Sequence, residues 1–344
     1  MYQAIQRQYR TEQQSRPRIK YIDTAKGICI FLVVLGHCHI PQLGLLSMLR
    51  MPLYFTLSGL FFKDYGGLLP TFIKKCNKIL IPFIFFYTAA YVIIMAKVWA
   101  GAGVDHSYFA FFISKDALTI NGVLWFLLAL FWSNMLFLVM RRISSNIIFL
   151  GVGSLLLMAL SLIFFSGENY LPAYIDSGLT AMPFFYLGYC LRNTDILIPN
   201  KYDRYKHFTI PALYTIAIVC FLIGDSPNIT ISCNEVKGCV PLFMLGSPAL
   251  VVATLLLCKV IGTIPFITYI GRYSLIILCT HMPIIETVSH TLLLCGVDIY
   301  SFPVSIGIFI VTLTTATLLI KPLVTWFPKL TAQEDLIVLK PRHK

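Results

Sequence analysis

Three ionisable residues stand in an otherwise apolar stretch near the start of the chain, Y-I-D-T-A-K-G-I-C-I-F-L-V-V-L-G-H from Tyr21 to His37. As a helix, this stretch carries Lys26 and His37 on one stripe, about 20° apart in direction and about 16 Å apart along the axis. Asp23 lies one turn before Lys26, on the same side. Neutral imidazole titrates near working pH and is well suited to take a proton from a reacting group. A lysine offers a fixed cation to an anionic ligand, and a carboxylate orients or exchanges protons. Such groups are costly inside a membrane helix and usually face a bundle interior or a wet cavity. The bland alternative has Asp23 and Lys26 reaching to the headgroup level and His37 as a hydrogen-bonded packing residue.

Other stretches carry further candidates. Lys74, Lys75 and Lys78 cluster in I-K-K-C-N-K-I-L-I-P. Lys75 and Lys78 are helical neighbours able to grip a polyphosphate, or the cluster is a plain topology anchor. Ser58 sits in M-P-L-Y-F-T-L-S-G, where Pro52 and Gly59 allow close approach of a ligand or a neighbouring helix. Trp125, in N-G-V-L-W-F, fits an interfacial aromatic belt and equally a platform for a sugar ring. The stretch G-R-Y-S-L-I-I-L-C-T-H-M-P-I-I-E adds a second intramembrane histidine, His281, with Glu286 beyond it. His39 points away from His37, and His106, His207, His290 and His343 fall at segment ends or in loops. No cysteine or histidine spacing suggests a metal, and no metal is expected. No phosphate-binding glycine loop or nucleophile elbow stands out.

These residues need helices to position them. The chain has 344 residues, of which 58% are hydrophobic and only 12% charged, about half the charged share of a soluble protein. With several apolar runs near 20 residues, it reads as an all-α, polytopic membrane protein. Ten apolar segments are expected, roughly 22–40, 48–62, 79–97, 123–140, 146–165, 178–192, 208–224, 240–260, 266–289 and 302–320. The second and sixth are short and interrupted, as cavity-lining spans often are.

The net charge of +12 sits in short loops, which points to topology and not to nucleic acid. With the N-terminus inside, 23 of the 27 Lys and Arg residues fall inside, and only Arg50, Lys97, Lys115 and Lys237 outside. This division predicts an N-in, C-in chain. Residues 1–20 read as a disordered basic cytoplasmic tail, 21–328 as one transmembrane domain and 329–344 as a cytoplasmic C-terminal tail. Most of the ten cysteines lie within apolar spans. Cys233 and Cys239 share a polar loop, where a disulfide and two free thiols are both open.

Taken in this order, the blocks resemble the acyltransferase 3 family of integral membrane O-acyltransferases, in particular its fucose 4-O-acetylase-like branch. The resemblance rests on Lys26 and His37 with Asp23 and Gly36, on M-P-L-Y-F-T-L-S-G, and on L-W-F-L at Leu124 to Leu127. It rests also on F-Y-L-G-Y at Phe185 to Tyr189 and on G-R-Y-S-L followed by H-M-P, Gly271 to Pro283. Lysines 75 and 78 stand where the family often has arginines, and lysine lacks the bidentate fork. The resemblance implies a multi-pass enzyme of the bacterial cytoplasmic membrane. It would move an acyl group, usually acetyl, from cytoplasmic acetyl-CoA to a sugar hydroxyl of an extracytoplasmic or lipid-linked glycan. It implies His37, Asp23 and Lys26 as catalytic residues, and Lys75, Lys78 and Ser58 as contacts to the acyl-CoA. Trp125, His281 and Glu286 would face the acceptor, with the orienting partner of His37 on another span. The lipid bilayer is the remaining partner. A transporter or channel for a small anion, without covalent chemistry, is the alternative for the same ionisable stripe.

Overall fold

The computed structural model describes residues 19–40, 44–99, 101, 107–109, 121–167, 169–192, 194 and 205–338. The expected N-terminal arm up to residue 18, Lys115 and His106 lie outside the described residues, as do the last six residues of the chain. Helix α1 is Lys20–His37 and α2 is Arg50–Leu60, reached through a 3-10 turn at Gly44–Met48. Helix α3, Leu68–Lys75, runs through a π-turn, Cys76–Leu80, straight into α4, Ile81–Trp99. Then come α5 Trp125–Ile143, α6 Ile147–Phe164, α7 Ile175–Thr180, α8 Met182–Leu191 and α9 Lys206–Ile223. A small antiparallel hairpin, β1 Asn228–Thr230 with β2 Glu235–Lys237, precedes α10 Val240–Ile261. Helices α11 Pro265–Arg272, α12 Ser274–Leu294 and α13 Phe302–Trp326 complete the order.

Among the described residues, seven helical stretches are long and apolar enough to cross a membrane: Leu68–Trp99, Gly122–Ile143, α6, α9, α10, α12 and α13. The chain is a multi-pass integral membrane protein. Helix α1 is as long as α6 but carries Lys20, Asp23 and Lys26. Helices α2 and α8 have only 11 and 10 residues. Two boundaries differ from the sequence reading. The third apolar segment starts earlier, at Leu68, so Lys74, Lys75 and Lys78 lie inside a helix instead of ahead of one. The ninth breaks at Tyr273 into α11 and α12.

Helices in lipid are held by close packing more than by the hydrophobic effect, so small residues mark their contacts. Two crossings show this. A side-chain carbon on Gly27 of α1 would fall on the Ile267 carbonyl of α11, and one on Gly271 would fall on the Asp23 carbonyl. In the same way Gly59 of α2 meets Phe185, and Gly188 of α8 meets Thr56. Thr24 adds hydroxyl contacts to Gly262 O at 2.8 Å and to the Thr268 hydroxyl at 2.9 Å. Helix α1 is thereby clasped to α11, which fixes where α12 begins beside it.

The loops are pinned as firmly. Asp64 accepts the N–H groups of Gly66 and Gly67 at 3.0 and 3.1 Å and pairs with Arg142 at 2.7 Å, joining the α2–α3 loop to the end of α5. Burial tends to raise the Asp64 carboxyl, but the Gly67 and Gly66 N–H groups and the Arg142 guanidinium outweigh it and hold it below the usual carboxylate range. At the opposite end Asn234 is fully buried and donates to Asp176 at 3.0 Å and to Phe165 O at 2.8 Å, docking the hairpin loop on α6 and α7. All ten cysteines are free thiols, including Cys233 and Cys239.

Candidate active site

His37 ends α1. Its Nδ1 lies 2.8 Å from the Val33 carbonyl one turn back. A carbonyl only accepts, so Nδ1 carries the proton of the neutral ring and Nε2 carries the lone pair. His281 repeats the arrangement on α12, with Nδ1 2.9 Å from Ile277 O. The two rings meet edge to face, centroids 5.3 Å apart and planes at 65°. His281 is completely buried, and its Nε2 has no hydrogen-bond partner among the described residues. Two imidazoles therefore meet in the bundle, and in the neutral tautomer that donates from Nδ1 each keeps a basic nitrogen at Nε2. Such nitrogens can take a proton from a hydroxyl or accept a hydrogen bond from it.

His37 Nδ1 is bonded to the carbonyl of its own helix, and of the two partners expected on another span His281 lies against its ring. An imidazole four residues beyond a carbonyl reaches back along the helix, and this local bond needs no partner element.

Proline explains how His281 is held. Pro283 has no N–H, so the Cys279 carbonyl four residues earlier loses its helical donor. Asn121 supplies one: its side-chain amide donates to Cys279 O at 2.8 Å, with both residues buried. Asn121 opens the turn that leads into α5, and it bridges that turn to the segment of α12 carrying His281. Sequence reasoning missed it. The signal present was a carbonyl orphaned by Pro283 that needs a donor from elsewhere, and nothing in the sequence names the donor.

Arg50 opens α2, and its carbonyl receives the Cys29 thiol at 3.1 Å. Trp125 stands one turn beyond Asn121, half-buried, with its ring 6.3 Å from Tyr174 and 6.2 Å from Phe126. It shares the histidine end of the bundle. Glu286 is half-buried on α12, with Lys97 of α4 as the charge acting on it. Five residues past His281, it is turned about 140° around the helix, toward α4 and not His37.

The remaining candidates gather at the other end. Asp23 is buried at the α1–α11 crossing, about 21 Å along the helix from His37. Lys26 is half-buried, with its ammonium 5.5 Å from the centre of the Phe61 ring. Ser58 accepts the Asn134 amide at 3.2 Å, between α2 and α5. Lys74 and Lys78 are engaged by the segment after α13. Lys75 is half-buried, with no hydrogen bond or ion pair among the described residues. No group of three His, Cys, Asp or Glu side chains able to hold a metal occurs among the described residues. An apolar groove of about 720 Å³ lies away from the histidines, lined by Ile81, Phe85, Thr88 and Val92 of α4 with Leu330 and Leu336.

The chain is a multi-pass helical bundle with a half-buried and a buried imidazole in contact at one end and a cluster of lysines at the other. A family model described as an acyltransferase domain, Acyl_transf_3, matches residues 19–321. The chain belongs to that family and is a membrane acyltransferase, which displaces the reading as a transporter without covalent chemistry. No curated protein and no solved structure matches the chain.

Proposed function

We propose that the enzyme transfers an acetyl group from cytoplasmic acetyl-CoA to a sugar hydroxyl of an extracytoplasmic or lipid-linked glycan, in a bacterial inner membrane. The observation that carries this reading is the His37–His281 pair, ring centroids 5.3 Å apart, with His281 Nε2 buried and without a partner among the described residues. The division of Lys and Arg residues favours the lysine end as cytoplasmic. The histidine end then faces the outside, so donor and acceptor approach one site from opposite faces.

A sugar hydroxyl is a poor nucleophile until a base takes its proton. In the proposed step, His37 Nε2 takes that proton as the oxygen attacks the thioester carbonyl. The new C–O bond forms, the C–S bond breaks, and the CoA thiolate leaves with the proton returned from His37. His281 Nε2 accepts a hydrogen bond from a second hydroxyl of the acceptor, and Trp125 offers its ring to the sugar face. Lys75, Lys78 and Lys26 supply positive charge for the CoA phosphates. Direct attack is favoured over an acyl-histidine because both substrates reach a single imidazole.

The test is acetyl-CoA turnover by the purified protein in detergent, with and without candidate glycans. His37→Ala is expected to lower turnover roughly 10² to 10⁴-fold, while CoA binding and melting temperature stay near the parent values. Substantial residual turnover in a well-folded His37→Ala protein would make His37 a packing residue.

A further inference from the structure

After α13 the chain does not leave the bundle. Residues 327–338 fold back as a strap across the α3–α4 junction. Phe327 sets its ring 5.3 Å from Phe85 of α4. Ala332, in the left-handed region with φ 61°, turns its carbonyl to the Lys78 ammonium at 2.7 Å. Asp335 bonds Lys74 at 2.5 Å and approaches Lys78 at 3.4 Å. Asn77, buried in the π-turn, clasps the strap backbone at both polar ends of its side chain. Its oxygen accepts the N–H groups of Leu336 and Ile337, each at 2.8 Å, and its nitrogen donates to Ile337 O at 2.8 Å.

An internal carboxylate therefore occupies the space between two lysines, at the end of the bundle where Lys75 has no partner among the described residues. A carboxylate and a phosphate oxygen make the same contacts to an ammonium group. The strap itself is turns without helix or strand, held at the polar cluster and by a few apolar contacts on α4. Its removal would expose Lys74 and Lys78 together, one helical turn apart and flanking Lys75.

We propose that residues 327–338 form a displaceable cover, and that Asp335 holds an anion subsite of Lys74 and Lys78 until a phosphate group of the acyl donor replaces it. This rests on the reading of the donor as an acyl-CoA. Donor binding then includes the cost of releasing the strap, and the closed strap keeps the lysine end shut while no donor is present.

The experiment compares CoA with phosphate-free pantetheine, by calorimetry on the purified full-length protein. Asp335→Asn removes the competing charge, and Asn77→Ala loosens the backbone clasp without changing any charge. Both variants are expected to bind CoA about 1.5 to 5-fold more tightly than the parent, the range expected when one exposed charge contact of about 0.2–1 kcal/mol is released. Pantetheine binding should not change. Unchanged or weaker CoA binding in both variants, with melting temperatures like the parent, would overturn the cover and make the strap part of the donor cradle or mere scaffolding. Tighter binding in Asp335→Asn alone would also overturn it, as a simple effect of net charge. A parent that turns over acetyl-CoA while neither variant changes affinity would sink the cover alone. If neither parent nor variants bind CoA, the donor reading falls with it.

Discussion

The Asn121–Cys279 contact yields a prediction that can be worked through in numbers. Replacing Asn121 by Ala leaves the Cys279 carbonyl with neither a side-chain donor nor, because of Pro283, a helical one. The cost of the single change is blurred, because the Asn121 side-chain oxygen is itself buried without a partner among the described residues and its removal is a gain. A double-mutant cycle with Pro283→Ala removes that ambiguity, since the oxygen is lost on both sides of the comparison. In the parent background, Pro283→Ala adds an N–H to a carbonyl that already has a donor. In the Asn121→Ala background, it supplies the only one. Hydrogen bonds between membrane helices couple by about 0.6 kcal/mol on average and at most about 1.7 kcal/mol. Full burial at both partners places this one toward the upper half, about 1–1.7 kcal/mol. Unfolding titrations with SDS in mixed micelles give the four stabilities, and acetyl-CoA turnover gives the position of His281 independently. Asn121→Ala should lose turnover, and adding Pro283→Ala should restore part of it. Additivity within about 0.3 kcal/mol in stability, with no restoration of turnover, would refute the idea that Asn121 stands in for the missing proline donor.

Two further outcomes follow from the lysine cluster and the exposed thiols. Lys75→Ala is expected to weaken acetyl-CoA binding by about 1–2 kcal/mol, more than Lys78→Ala, because Lys78 is already committed to Ala332 and Asp335. The difference should shrink as salt rises, and equal, salt-independent effects would contradict a phosphate contact. With the histidine end outside, a membrane-impermeant maleimide applied to intact cells should label Cys239 and Cys295, the two exposed cysteines. Labelling only after the cells are opened would reverse the orientation.

Hydropathy located most of the helices, because apolar runs of membrane length leave the backbone few alternatives, but it missed α3, and only seven stretches among the described residues are long and apolar enough to cross a membrane. Each of the ten apolar segments contains a helix, and the breaks in the sequence pattern coincide with the short helices α2 and α8. Individual residues were less legible. His37 and His281 each stood out as histidines in apolar surroundings, but their contact depends on the glycine clasp between α1 and α11, about 240 residues apart in sequence. Asp23 shared a helical stripe with Lys26 and His37, yet a stripe fixes direction around an axis and not distance along it. The C-terminal segment read as a tail because it is short and mixed in character. Its anchoring to Asn77 is a side-chain-to-backbone bond that no periodicity reports. The contact of Ser58 with Asn134 appears only when α2 and α5 are seen side by side.

The π-turn at Cys76–Leu80 makes this junction sensitive to the count of residues and not only to their kind. A π-turn carries about one residue more than the α-helical turn it replaces, and removing that residue would restore a regular helix. Everything after it would then turn by about 100° relative to α3. Ile81, Phe85 and Thr88 would rotate away from the strap, while Lys74 and Lys75 stayed where they are. The groove and the cation cluster would come out of register, although not one contact residue had been substituted. A single-codon deletion here thus does what no point mutation in the same helix does. Deleting Cys76 or Ile79 keeps every strap-contacting side chain of the π-turn and dismantles their arrangement, so the length of this short segment is itself part of what the gene specifies.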